Sequence, residues 1–139
     1  MGTRADFYVG RGKNAEWLGS IGWDGYPDGI ERTLLDSRSE AVFRKRLAAF
    51  FKGRDDVTLP AQGWPWPWDD SGTTDYAYAF DRGRVYASGF GHKWHIATWA
   101  PPEKWYERHS NHKVEFPDMS ARKAVTLGKR SGLIVLTST

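Results

Sequence analysis

The sequence predicts an α+β fold: an antiparallel sheet of about five or six strands, one strong helix over about 38–52, and a second helix on the same face. Three observations predict it. The stretch Asp75–Trp99 (DYAYAFDRGRVYASGFGHKWHIATW) reads as three short strands joined by tight turns. Phe43, Leu47, Phe50 and Phe51 recur at i, i+4, i+7 and i+8, the spacing of one helical face. Two apolar runs near the N-terminus, Asp6–Gly10 and Trp17–Trp23, lie within hairpin distance of each other.

The first run, DFYVG, reads as a strand that ends in the glycine-rich turn GRGK. In the second, WLGSIGW, strict alternation places Trp17, Gly19, Ile21 and Trp23 on one face. The GRG string lacks the spacing of a phosphate-binding loop. Asp24–Gly29 (DGYPDG) is dense turn chemistry, with glycines free to take positive φ. Its carboxylates lack the spacing of a calcium loop. The Trp23–Gly29 string WDGYPDG resembles a Trp-Asp-Gly-Tyr-Pro-x-Gly string of small uncharacterised bacterial and phage-encoded proteins. That resemblance implies a mobile-element or prophage origin and brings no activity or site residue with it.

The helix is predicted to start at a capping box formed by Ser37 and Glu40 and to stop at Gly53, a C′ glycine. Burying its apolar stripe contributes roughly 1.5–3 kcal/mol per large side chain. Asp55–Thr74 has no periodicity, and at its centre stands Trp64-Pro65-Trp66-Pro67-Trp68. Alternating prolines forbid a helix and a central strand, so this segment is an extended ribbon, either a lid over the sheet or a contact surface. In the meander, Tyr76, Tyr78 and Phe80 share a face, and Lys93–Trp99 is the third strand. Small residues such as Ala77 and Ala79 leave room for a helix or large rings. A short helix is predicted over Glu103–His109, a loop over His112–Pro117, a second helix over Met119–Gly128 and a last, buried strand over Gly132–Ser138.

A chain of 139 residues without repeats or linkers reads as a single domain, 1–139, large enough to bury roughly two thirds of its unfolded surface. No signal peptide and no apolar run of about 20 residues is visible, which excludes a membrane helix and favours the cytoplasm. Without cysteine there is no disulfide framework, thiol chemistry or thiolate metal site. Net charge is only +3, but eight tryptophans are many for so small a chain.

The residue types suggest three chemistries. The histidines form two i, i+3 pairs, His92/His95 and His109/His112, but residues three apart on a strand face opposite ways, so no metal and no cofactor is expected. Acid–base catalysis by His92 or His95 with Tyr78 and a carboxylate, Asp75, Asp81 or Glu107, would make a small metal-independent nuclease or hydrolase; nothing in the spacing joins these groups. Exposed Trp and Tyr with interspersed Arg is the composition of a protein-binding surface, and with basic residues along a strand it also suits single-stranded nucleic acid. The expectation is a non-enzymatic interaction protein of phage or prophage origin that binds, and by binding inhibits, a host macromolecule. A protein partner is ranked ahead of nucleic acid. Its binding residues would be Trp64, Trp66, Trp68, Arg44, Lys45, Arg46, Arg82 and Arg84.

Overall fold

The computed structural model of the chain describes residues 2–98 and 114–119. Its strands are β1 (Ala5–Val9), β2 (Glu16–Ile21), β3 (Val57–Thr58), β4 (Tyr76–Asp81), β5 (Arg84–Gly89) and β6 (His95–Ile96), and its helices are α1 (Arg32–Leu35) and α2 (Glu40–Phe51). The strands form one sheet in the order β3-β2-β1-β4-β5-β6. The fold is α+β, as the patterning predicts. Among the described residues no helix is long and apolar enough to cross a membrane.

Alternation divides the side chains between the two faces of the sheet. On one face Phe7, Tyr78, Phe80, Val85 and Ala87 pack on Phe43, Leu47 and Phe50 of α2. Phe7 stacks on Tyr78 at 5.4 Å and Phe43 on Phe80 at 5.7 Å. The predicted apolar stripe of the helix is therefore its buried face. On the other face Tyr8, Trp17, Ala77 and Ala79 lie beneath Trp64, Trp66, Trp68, Phe116 and Met119. The small side chains of Ala77 and Ala79 make the room that these rings fill. The molecule is thus layered: helix, sheet, aromatic ribbon.

The sheet departs from the antiparallel prediction at its centre. β1 and β4 run parallel, with Ala5 opposite Tyr76 and Val9 opposite Phe80. Two antiparallel hairpins, β1–β2 and β4–β5, meet side by side there, and the chain between them crosses α2 and the ribbon. A parallel neighbour needs such a long crossover, which no local pattern announces.

Strict alternation in β2 is also corrected. A bulge between Phe7 and Tyr8 sets Gly19 opposite Phe7 but Trp17 opposite Tyr8. Trp17 therefore turns to the ribbon face, while Leu18 and Ile21 pack on the helix side. Gly19, at φ +151, lies where a Cβ would come within 2.8 Å of the Phe51 ring.

The helix starts later than the capping box implies. Ser39 is its N-cap, its side chain accepting a bond from the Val42 N–H at 3.2 Å. Ser37 is occupied elsewhere, its hydroxyl donating to the Leu34 carbonyl at 2.8 Å at the end of α1. The third meander strand shrinks from Lys93–Trp99 to the two residues of β6. Trp94 instead joins the ribbon layer, its ring 5.3 Å from that of Phe116. The elements predicted over Glu103–His109 and Gly132–Ser138, the body of the helix after Met119, and the His109/His112 pair lie outside the described residues.

Candidate functional site

The ribbon is held from below by a buried carboxylate. Asp6 lies inside β1 at 0% exposure. Its Oδ1 accepts from Ser20 Oγ at 2.5 Å and Trp66 Nε1 at 2.6 Å, and its Oδ2 from Ser71 Oγ at 2.5 Å and Thr74 Oγ1 at 2.9 Å. Ser71 also bonds the Tyr8 hydroxyl. Trp17 donates to Ser20 Oγ at 3.1 Å, Trp68 to Thr74 Oγ1 at 2.8 Å and Trp64 to the Trp68 carbonyl at 2.6 Å. Every indole N–H of the ribbon is consumed inside the fold. Burial pushes the Asp6 carboxyl up, against the lowering effect of the bonds from Ser20, Ser71, Trp66 and Thr74.

Asp6, Ser71 and Tyr8 superficially resemble a proton relay. Yet Tyr8, Asp6, Ser20, Ser71 and Thr74 are all at most 1% exposed, so no substrate reaches them. A carboxylate meeting four neutral donors is a staple for the ribbon. Trp64 is buried, while Trp66 and Trp68 are half-buried, stacked at 5.5 Å and capped by the Arg4 guanidinium 5.1 Å from the Trp68 ring.

The histidine and tyrosine candidates do not converge. Tyr78 is buried on the helix face and its hydroxyl donates to the Gly25 carbonyl at 2.7 Å; burial raises its pKa well above the ordinary value. Along the sheet Tyr78 pairs with Ala87 and Ala87 with His95, so two strand spacings, about 10 Å, separate Tyr78 from His95. Burial lowers the His95 pKa. His92 sits in the turn after β5, where its carbonyl accepts from Ser88 Oγ. Among the described residues no cluster of three or more His, Asp or Glu is placed to hold a metal ion.

The remaining predicted residues lie on α2 and at the β4–β5 turn. Arg44 donates to Glu16 at 2.7 Å and to Glu40 at 2.8 Å, fastening α2 to the start of β2; its hydrogen bonds to Glu16, then to Glu40, raise its pKa further. Lys45 and Arg46 are exposed, and Arg46 donates to the Thr33 carbonyl at 2.6 Å. Arg82 and Arg84 are exposed at the β4–β5 turn, whose Gly83 comes close to the Arg38 carbonyl near the start of α2.

At the far end of α2 the chain forms a feature that the sequence pattern hides. An open groove of about 500 Å³ runs between α2 and the β2–β3 edge. Leu18, Leu47, Phe51, Val57 and Leu59 make its apolar lining; Arg44, Lys52 and Arg54 are its cations, and no carboxylate lines it. Asp56 fixes this corner. It accepts from the Gly22 and Trp23 N–H groups at 3.0 Å each and from Arg54 at 2.8 Å. Burial alone would raise the Asp56 pKa, but these bonds, that of Arg54 foremost, bring it below the ordinary value.

Sequence reasoning missed Asp6, Ser20, Ser71 and Thr74 of the staple and Leu18, Val57 and Leu59 of the groove. One signal was there to find: a lone Asp within an otherwise apolar strand must be paired or at an edge. The groove residues come from three separate segments and leave no local trace. Comparison with known proteins finds no matching family model, no similar curated protein and no similar solved structure.

Proposed function

We propose that this chain is a small cytoplasmic, non-enzymatic interaction protein that binds a partner protein through the basic outer face of its helical layer. The observation that supports it is the distribution of charge. Arg32–Arg54 carries seven Lys and Arg against only Asp36 and Glu40, a larger surplus than the +3 of the whole chain. Arg32, Lys45, Arg46 and Lys52 of this segment are exposed and form no ion pair among the described residues. Such a surface draws in an anionic partner and orients it on approach.

A protein suits this face better than single-stranded nucleic acid. Stacking of successive bases needs a platform of rings; the stacked tryptophans of the ribbon lie on the opposite face of the sheet, and Trp23, exposed beside Asp56, is a single indole. The Trp23–Gly29 string supports a phage or prophage source, in which a host machine would be the target. The test is affinity capture from a bacterial host lysate at low salt, with the wild-type chain and a Lys45→Glu/Arg46→Glu variant whose folding is verified by circular dichroism. The expected result is a protein retained by the wild type, resistant to nuclease treatment, and retained at least tenfold less by the variant. Equal retention by both chains, or loss of retention after nuclease treatment, overturns the reading.

A further inference from the structure

We infer that the groove between α2 and β3 receives an extended segment of a partner protein in which carboxylates alternate with aliphatic side chains. The inference rests on the reading above that the helical layer is the binding face.

Three observations define the occupant. The apolar lining is aliphatic apart from Phe51, and Leu59 on its rim stands 44% exposed. Second, the cations differ in what they offer. Arg44 and Arg54 are already engaged by Glu16, Glu40 and Asp56. Lys45 and Lys52 form no ion pair among the described residues, and both flank Ala48, which lines the groove. They stand at i−3 and i+4 from it, along one side of the helix. Seven residues of helix span about 10 Å. An extended chain advances about 7 Å between alternate side chains, so carboxylates at every second position stay within reach of both lysines. Their intervening side chains then face the apolar lining. Third, β3 is the last strand of the sheet among the described residues and only two residues long, which leaves a strand edge beside the groove. Peptides add to such edges through main-chain hydrogen bonds.

A second copy of this chain is a poorer occupant, because it would bring the same basic surface against itself. A nucleic acid is poorer too, because Phe51 is the single ring lining the groove among the described residues and the rest of its apolar surface is aliphatic.

The probe is a fluorescein-labelled peptide, Asp-Leu-Glu-Leu-Asp-Leu-Glu, titrated with the full chain and read by fluorescence anisotropy. The same peptide with Ser for Leu, one with Lys for the acids, and a labelled oligo-dT serve as controls. Saturable binding is expected for the first peptide alone, weakened at least tenfold by Leu59→Asp and by Lys45→Glu/Lys52→Glu. Both variants change exposed positions, and circular dichroism verifies their fold. Absence of saturable binding, binding unchanged in Leu59→Asp, or equal binding of oligo-dT overturns the inference. So does concentration-dependent dimerisation that Leu59→Asp abolishes, which makes a second copy the occupant. If the peptide fails while lysate capture still depends on Lys45 and Arg46, the groove is wrong and the broader reading stands.

Discussion

Asp6 concentrates the residue-scale physics of this molecule. A carboxylate in an apolar interior costs several kcal/mol unless its lone pairs are met. Here four donors meet them, and no cation does. Asp6→Ala removes the acceptor. The three hydroxyls can turn to other partners, but the Trp66 N–H cannot, and a cavity is left. A loss of about 3 kcal/mol or more is expected in urea unfolding. Asp6→Asn keeps the shape, and its amide can donate to Ser71 and Thr74 where the carboxylate accepted. It is expected to cost less than Asp6→Ala.

The pH dependence has a definite sign. Because burial raises the folded-state pKa of Asp6 above its ordinary 3.8, its favourable contribution is complete below that value and is lost as pH rises through the folded value. Asp6→Asn does not titrate. The stability of the variant relative to wild type should therefore improve between pH 4 and pH 7. A difference that stays constant, or moves the other way, contradicts this account of the buried charge.

At the scale of elements, two junctions carry distinct expectations. Ser39, not Ser37, caps α2. Ser39→Ala should destabilise by about 1 kcal/mol and speed hydrogen exchange of the Val42 amide. Ser37→Ala should leave that amide unchanged. Gly19 sits in the β2 bulge against Phe51, where a Cβ would also lie 3.0 Å from the Thr58 carbonyl. Gly19→Ala should cost about 2 kcal/mol or more in unfolding measurements, because strain at that φ adds to displacement of the Phe51 ring. A neutral substitution would mean that the bulge is not formed.

The same elements explain what the sequence could reveal. The stripe Phe43, Leu47, Phe50 and the β4–β5 hairpin are encoded by residues near one another in the chain, so period and turn chemistry expose them. The β1–β4 pair joins residues about 70 positions apart, and its parallel sense depends on how two hairpins dock. Trp17 changes face because of one extra residue, which alternation cannot anticipate. Ser37 and Ser39 both suit a cap, and only the competing bond of Ser37 to Leu34 separates them. Of the candidate site, the basic residues on α2 were legible as a run. The groove beside them was not, because Leu18, Leu47 and Leu59 converge only through folding.

At the scale of the whole molecule, the sheet separates two kinds of surface. One face is closed by an aromatic ribbon whose indole N–H groups all end on internal acceptors. The other carries a helix whose inner stripe is buried and whose outer side is basic and borders an apolar groove. The tryptophans of the ribbon therefore serve the fold, and the proposed binding role falls to the helical layer. This division of labour is the central claim. Its most direct test is hydrogen exchange of the full chain, alone and in complex with the protein it captures. The account predicts slowed exchange over residues 44–59 and unchanged exchange over the ribbon, 64–74. Slowing confined to 64–74, with none over 44–59, would contradict it.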